Sequence, residues 1–284
     1  RRGRDRPLPA PATRRRPRTA FLHHEPVPAD HESLEKPGSL VMTLPRFFVE
    51  GSIKIGKIFP LPEVSGHHLA RVLRKSTAES IVVFNGEGGE FICSIESIRK
   101  NHVEVRPLKY DENNRAPQLR TTLGLCILKK DSMNSVLTKV TELGITRITP
   151  IISDHCAVAH KVIHRRQTHW RQVMIAACEQ CGLNLLPALD PATNLSGWLA
   201  NSDADIRLLA VPGSSTIPHT KSEVNSVSLL TGPEGGFSEA EEKEAINAGF
   251  NTVTFGERVL RAETAPIVAL SVSHQVWGSF GITE

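Results

Sequence analysis

The chain has 284 residues, 39% of them apolar and 23% charged, with a formal net charge of +4. No apolar run approaches the roughly 18 residues that span a bilayer, which excludes a membrane helix. The charge comes from the first 41 residues, which hold nine basic and five acidic side chains. The other 25 basic and 25 acidic residues balance, so a nucleic-acid partner must be argued from local clusters.

Residues 1–41 are rich in Arg and Pro and cannot bury enough apolar surface to offset the entropy of ordering. They are expected to be a disordered extension. Met42 opens a different kind of sequence and is read as the native start, with 1–41 vector-derived or upstream translated sequence. An organelle transit peptide is the rival reading, and seven prolines oppose the amphipathic helix such a peptide forms.

From residue 42 to about 110 the pattern is mainly β. Strands are expected at 46–50, Ser80–Phe84, 90–96 and 102–105. The sequence Asn85-Gly-Glu-Gly-Gly joins the second and third as a hairpin turn. One helix, 66–73, is expected behind a Ser65 cap, with Leu69, Val72 and Leu73 at i, i+3, i+4. A small barrel with one helix follows. Residues 110–118, polar with a proline, read as a linker.

Beyond it strands and helices alternate. Strands are expected at 121–128, Arg147–Ile152, 206–211, 227–231 and 252–255. Helices are expected at 132–143, 162–181, 239–248 and 263–277, with Pro266 tolerated in the first turn of the last. This alternation implies a parallel sheet covered on both faces. Cys178 and Cys181 form a CxxC pair, but no second pair exists to complete a zinc site. All five cysteines are expected to be free thiols, and no metal site is expected.

Parallel α/β sheets bind ligands at the carboxyl ends of their strands. Three such ends are unusual here. The first is Thr231-Gly-Pro-Glu-Gly-Gly-Phe-Ser238, where Ser238 and Glu241 form a capping box for the next helix. Its glycines let backbone approach a ligand closely, yet the loop lacks both the P-loop Lys and the dinucleotide-binding glycine spacing. The second is Gly256-Glu-Arg-Val-Leu-Arg-Ala-Glu-Thr-Ala265, in which Val259 and Leu260 are expected to tuck against the core and fix Arg261 and Glu263. The third, Pro212-Gly213, is a weak signal alone.

TGPEGGFS followed by GERVLRAETA resembles the paired signature of the RsmE family, the 16S rRNA uridine-N3 methyltransferases of the SPOUT class. Further matches are Pro45-Arg46-Phe47-Phe48, His68-x-x-Arg71-Val-Leu-Arg74, Lys139-x-x-Glu142-Leu-Gly144 and Ala176-Ala-Cys-Glu-Gln-Cys-Gly182. Together they cover 42–284 in the expected order. Where the family often has Arg this chain has His155, and Arg261-Ala-Glu-Thr-Ala stands for the usual RTETA. Lys129-Lys-Asp-Ser-Met replaces a commoner glycine-containing segment.

The resemblance implies an α/β fold: a PUA-like RNA-binding barrel at 42–112, then a SPOUT trefoil-knot domain with a parallel sheet at 118–284. It implies a cytoplasmic homodimer, S-adenosyl-L-methionine as cofactor, and as partner 16S rRNA within the assembled small ribosomal subunit. By resemblance, Gly232, Glu234, Gly235, Gly236, Leu260, Arg261 and Thr264 bind the cofactor, with Thr231, Pro212 and Gly213 beside them. Uracil N3 must lose its proton before it attacks. Glu263 is the first choice for that base and Glu234 the alternative, while Arg261 can stabilise charge on uracil oxygens. A helix N-terminal carboxylate facing the dipole is the plainer reading of Glu263. Phosphate contacts are expected from Arg46, His68, Arg71, Arg74 and Lys75, with Arg71 and Arg74 on one helix face. Arg165, Arg166 and Arg171 form a second basic group. Rival readings are a SPOUT enzyme acting on another RNA or atom, a nonenzymatic rRNA-binding protein, and a nucleotide-dependent enzyme using the glycine loop for phosphate.

Overall fold

The computed structural model describes residues 44–100, 102–156, 160–215, 223–278 and 280. The expectations for residues 1–41 and the Met42 start lie outside them.

The first layer is a five-stranded sheet in the order β1-β3-β4-β5-β2. Its strands are β1 (Arg46–Phe48), β2 (Phe59–Pro60), β3 (Ser80–Phe84), β4 (Glu90–Arg99) and β5 (His102–Asp111). β1 pairs with β3 in parallel and the other pairs are antiparallel. The expected glycine turn joins β3 to β4, with positive φ at Gly86, Gly88 and Gly89. Alternate residues (Ile81 and Val83, Cys93 and Ile95, Val103 and Val105) point into one apolar core with Phe47 and Leu69, as a period of two requires. β5 extends to Asp111, so Tyr110 and Asp111 are strand rather than linker.

The barrel helix departs from expectation. It starts at Glu63 rather than after Ser65: Pro62 occupies the cap position and Ser65 lies inside α1 (Glu63–His67). The chain continues as a π turn over His68–Val72. Arg74 then takes a left-handed φ of 51° and ends the run.

The second layer is a parallel sheet in the order β12-β10-β11-β6-β7-β8, with β9 also paired to β7. Its strands are β6 (Arg120–Cys126), β7 (Arg147–Ile152), β8 (Ala188–Leu189), β9 (Thr193–Asn194), β10 (Ile206–Ser215), β11 (Ser226–Thr231) and β12 (Asn251–Val253). Every residue of β11 is buried. Successive residues feed opposite cores. Leu229 and Leu208 join Leu123, Met133, Leu137 and Trp170 on one face, while Leu230 and Leu209 join Trp198 and Phe250 on the other. Helices α2 (Lys130–Glu142), α3 (His160–Cys181), α4 (Leu195–Leu199), α5 (Glu239–Asn247) and α6 (Ala265–Trp277) connect the strands. β2, β8, β9 and α4 were not legible in sequence, since two to five residues carry too little period. A mainly antiparallel barrel-like sheet with one helix thus precedes an α/β domain built on a parallel sheet.

The carboxyl-terminal half of α3 joins the two layers. Ile175, Cys178 and Leu183 pack on Phe48 and Phe84. Glu179 Oε1 accepts the Phe48 N–H at 2.9 Å. The fully buried Glu90 of β4 accepts from Arg46 at 2.7 Å and from Arg115 at 2.6 and 3.0 Å. Burial pushes the Cys178 thiol up to about 12. Among the described residues no cluster suited to a metal occurs, and the CxxC pair is a packing element.

Candidate active site

Because the strands are parallel, the carboxyl ends of β10, β11 and β12 open on one edge of the sheet. A cavity of about 610 Å³ lies there. Its walls come from Ala210, Val211 and Pro212, from the loop after β11, and from the segment between β12 and α6. Lys129 and Ser132 at the start of α2 complete it.

Of the residues singled out in sequence, Pro212, Gly232, Glu234, Gly236, Leu260, Arg261 and Glu263 line this cavity. Thr231, Gly235, Thr264 and Gly213 are their chain neighbours but not part of the lining. Thr231 is buried and its hydroxyl has no protein partner. Thr264 donates its N–H to Arg261 O at 2.9 Å. Pro212 and Gly213 lie within β10 rather than in a loop. The pairing of β10 with β12 shifts register between Ala210 and Ser215, and such an irregularity accommodates a proline that cannot donate to the ladder.

The loop after β11 is held from both sides. Ser238 and Glu241 form the expected capping box. The Ser238 hydroxyl also donates to Asp154 at 2.7 Å, and Glu241 accepts the Asp154 N–H at 2.9 Å, tying this loop to the one after β7. Gly236 has φ +73°, and nothing lies within 4 Å of where its Cβ would be. A Cβ on Gly232 would stand 3.0 Å from the Phe237 ring. His155 is exposed, with Nδ1 3.1 Å from Gly236 O. Glu234 Oε1 accepts the Lys129 N–H at 3.1 Å, at the amino end of α2, where a backbone donor lacks a helical partner. One of the two carboxylates considered as base is thus already engaged in capping.

The other, Glu263, is half-buried and stands 3.9 Å from the exposed guanidinium of Arg261. α6 begins at Ala265, so both precede the helix. Only part of the preceding segment packs inward. Ala262 contacts the core and Leu260 is half-buried, but Val259 is 77% exposed, against the expectation that it tucks in. Lys129, Ser132, Phe237, Glu242 and Arg258 also line the cavity and were not picked out. For Lys129 and Ser132 the missing information was the pairing of β6 with β11, which brings the start of α2 beside the glycine loop.

The basic residues of the small domain separate into two kinds. Arg46 is a correction: its side chain is 6% exposed, bonded to Glu90 and stacked on Phe84, so it is an internal cation rather than a surface contact. His68, Arg71 and Arg74 are exposed. Arg71 and Arg74 do not share a helix face, because the turn is π and Arg74 is left-handed. Lys75 pairs with Glu79 at 2.6 Å. In the second group Arg171 bonds Glu50 at 2.8 Å and lies over the Phe48 ring, Arg165 is exposed and Arg166 is half-buried.

Two families match the chain: an RNA methyltransferase PUA domain over residues 64–108 and an RNA methyltransferase domain over residues 114–274. The ribosomal RNA small subunit methyltransferase E of Buchnera aphidicola subsp. Schizaphis graminum is 31% identical over 232 residues, covering 80% of this chain and 94% of that protein. Its Rickettsia conorii counterpart is 31% identical over 212 residues, covering 72% and 84%. The crystal structure of ribosomal RNA small subunit methyltransferase E from Neisseria gonorrhoeae, bound to S-adenosyl methionine, superposes with a TM-score of 0.78 at 31% identity. It covers 84% of this chain and all of that one. A Legionella pneumophila protein solved with its cofactor SAM gives a TM-score of 0.78 at 34% identity, over 83% and 99%. With a PUA-like barrel, a SPOUT domain and matches running through both, the chain belongs to the RsmE family of ribosomal RNA small subunit methyltransferases.

Proposed function

We propose that this chain transfers a methyl group from S-adenosyl-L-methionine to N3 of one uridine in 16S ribosomal RNA. The observation that carries the reading is the convergence of Gly232, Glu234, Gly236, Leu260 and Glu263 on one cavity. Its residues fit the cofactor. Val211, Phe255 and Leu260 offer an apolar wall for an adenine, Gly232 and Gly236 bring the loop to the cavity without side chains, and Thr231 keeps an unpartnered hydroxyl beside it. The cofactor supplies an activated methyl on a sulfonium; the chain supplies binding, alignment and proton removal.

Glu263 is the proposed base. It lines the cavity and, unlike Glu234, does not cap a helix with its carboxylate. A general base contributes about 10²–10⁴-fold. Arg261, mostly exposed beside it, is placed to meet negative charge that develops on a uracil oxygen. N3 lies on the pairing edge, so the target base must be unpaired or splayed out. Residues 42–112 are proposed as the RNA-binding domain and 118–284 as the catalytic one. His68, Arg71, Arg74 and Lys75 contact phosphates, and the substrate is the assembled small subunit in the cytoplasm. Ile267, Val268, Val272 and Val276 of α6 are not fully buried within the chain, which supports a homodimer.

The test is transfer of labelled methyl from S-adenosyl-L-methionine to unmodified small subunits, with nucleoside analysis of the product. 3-Methyluridine is expected. Label found only in 5-methyluridine or 2′-O-methyl nucleosides would overturn the reading.

A further inference from the structure

A larger concavity than the one above lies where the barrel meets α3: a cleft of about 900 Å³. Its floor is apolar, with Leu61 and Ile175 buried and Phe59 half-buried. Its rim is cationic. Lys54 and Lys57 are exposed, the lining Glu50 is paired with the lining Arg171 at 2.8 Å, and no further acidic residue occurs in the chain between Glu50 and Glu63. The opposite wall carries Glu179. One of its oxygens holds the Phe48 N–H, and the other has no hydrogen-bond partner among the described residues. Desolvation by burial raises this carboxyl above its ordinary range, opposed by the Phe48 hydrogen bond.

An aromatic edge, an apolar floor, a free carboxyl oxygen and two lysines without an ion-pair partner among the described residues form a specific combination. They match a flat heterocycle with N–H donors joined to a phosphate. Proteins read single-stranded RNA in this way, with unstacked bases against aromatic side chains and backbone on cations. The volume lies within the range of small-ligand pockets. We propose that this cleft binds an unpaired nucleotide of the substrate RNA, its base beside Phe59 and Glu179 and its phosphate at Lys54 and Lys57. It is a recognition subsite separate from the cavity that takes the reacting uridine. The assignment rests on the reading of the chain as an RNA methyltransferase. The lysine rim favours RNA over a segment of ribosomal protein as the occupant.

The test uses the full chain with Lys54→Glu/Lys57→Glu, two exposed positions, and separately Glu179→Gln, whose amide oxygen can still accept the Phe48 N–H. Methyl transfer to unmodified small subunits is measured over a series of salt concentrations, with SAM affinity by calorimetry. For the lysine pair, KM for the particles should rise at least about tenfold. The slope of log affinity against log salt should shrink by about 0.7, the contribution of the one single-strand phosphate that the two lysines share. For Glu179→Gln, KM should rise at least about threefold with Tm unchanged. In each case kcat and SAM affinity should stay as in the wild type. Particles carrying 4-thiouridine should cross-link through RNA to the peptide around Lys54 and Phe59. Unchanged KM and salt slope in the lysine variant, or a cross-link to a ribosomal protein instead, would overturn the subsite. If the wild type methylates no particle, the methyltransferase reading fails, and filter binding of the same particles to wild type and variants still decides the cleft.

Discussion

Glu263 and Arg261 stand beside each other at the cavity, and the sequence could nominate them but not separate their roles. If Glu263 removes the N3 proton, Glu263→Gln lowers kcat about 10²–10⁴-fold and flattens the ascending limb of the pH–rate profile, with SAM affinity unchanged. A helix-end carboxylate would instead change Tm and leave the profile intact. Gly232 tests the cofactor side. Even a Cβ there meets the Phe237 ring at 3.0 Å, so Gly232→Val pushes both toward the cavity. Calorimetry should show SAM affinity falling at least about tenfold, while the far-ultraviolet circular dichroism stays as in the wild type. Arg46 shows where residue-level reading ran out. A lone arginine in a β-rich segment looks like a surface cation, and only Glu90, 44 positions away, turns it inward.

At the scale of elements, long periodic segments were legible and short ones were not. α3 announced itself through apolar residues on one face, α6 through a long apolar run with few charges, and β7 matched to the residue. The barrel helix was misplaced because a π turn abandons the i, i+4 spacing used to find it. The junction between β1, β4 and the segment before β6 rests on a buried acid with two arginines. Breaking a buried pair from one side costs about 3–5 kcal/mol, because the remaining charge stays desolvated. Glu90→Gln should therefore lower the unfolding free energy obtained from urea titration by that order, and Arg46→Met/Glu90→Met, which removes two of the three charges, should recover part of the loss.

For the whole molecule, two predictions follow from burial. Burial raises the Cys93 and Cys178 thiols from the ordinary 9.0 to about 12. Their folded pKa values lie above the unfolded one, so the stability they contribute is complete below pH 9. It is lost as pH rises from 9 toward 12, by up to about 1.4 kcal/mol per thiol per pH unit. Unfolding by urea between pH 8 and 11 should show this decline, and Cys178→Ala should make it shallower. The second concerns assembly. Val276 is 37% exposed on α6, whose neighbours Val272 and Ile267 are partly so. If this face pairs with a second copy, Val276→Glu turns a sedimenting dimer into a monomer.

The sequence by itself determined the alternation of strand and helix, the apolar runs that must be buried, the capping box at Ser238 and the two loops with unusual glycine and charge content. These are local properties, set by side-chain period and backbone freedom. Tertiary structure alone decided that Lys129 and Ser132 share a cavity with Gly232 and Leu260, and that Glu234 is occupied by a helix end. It also decided that Val259 faces outward and that Arg46 is internal. Each depends on strand order and on which distant residue lies across a contact, and no spacing along the chain encodes a pairing between β6 and β11 more than 100 residues apart.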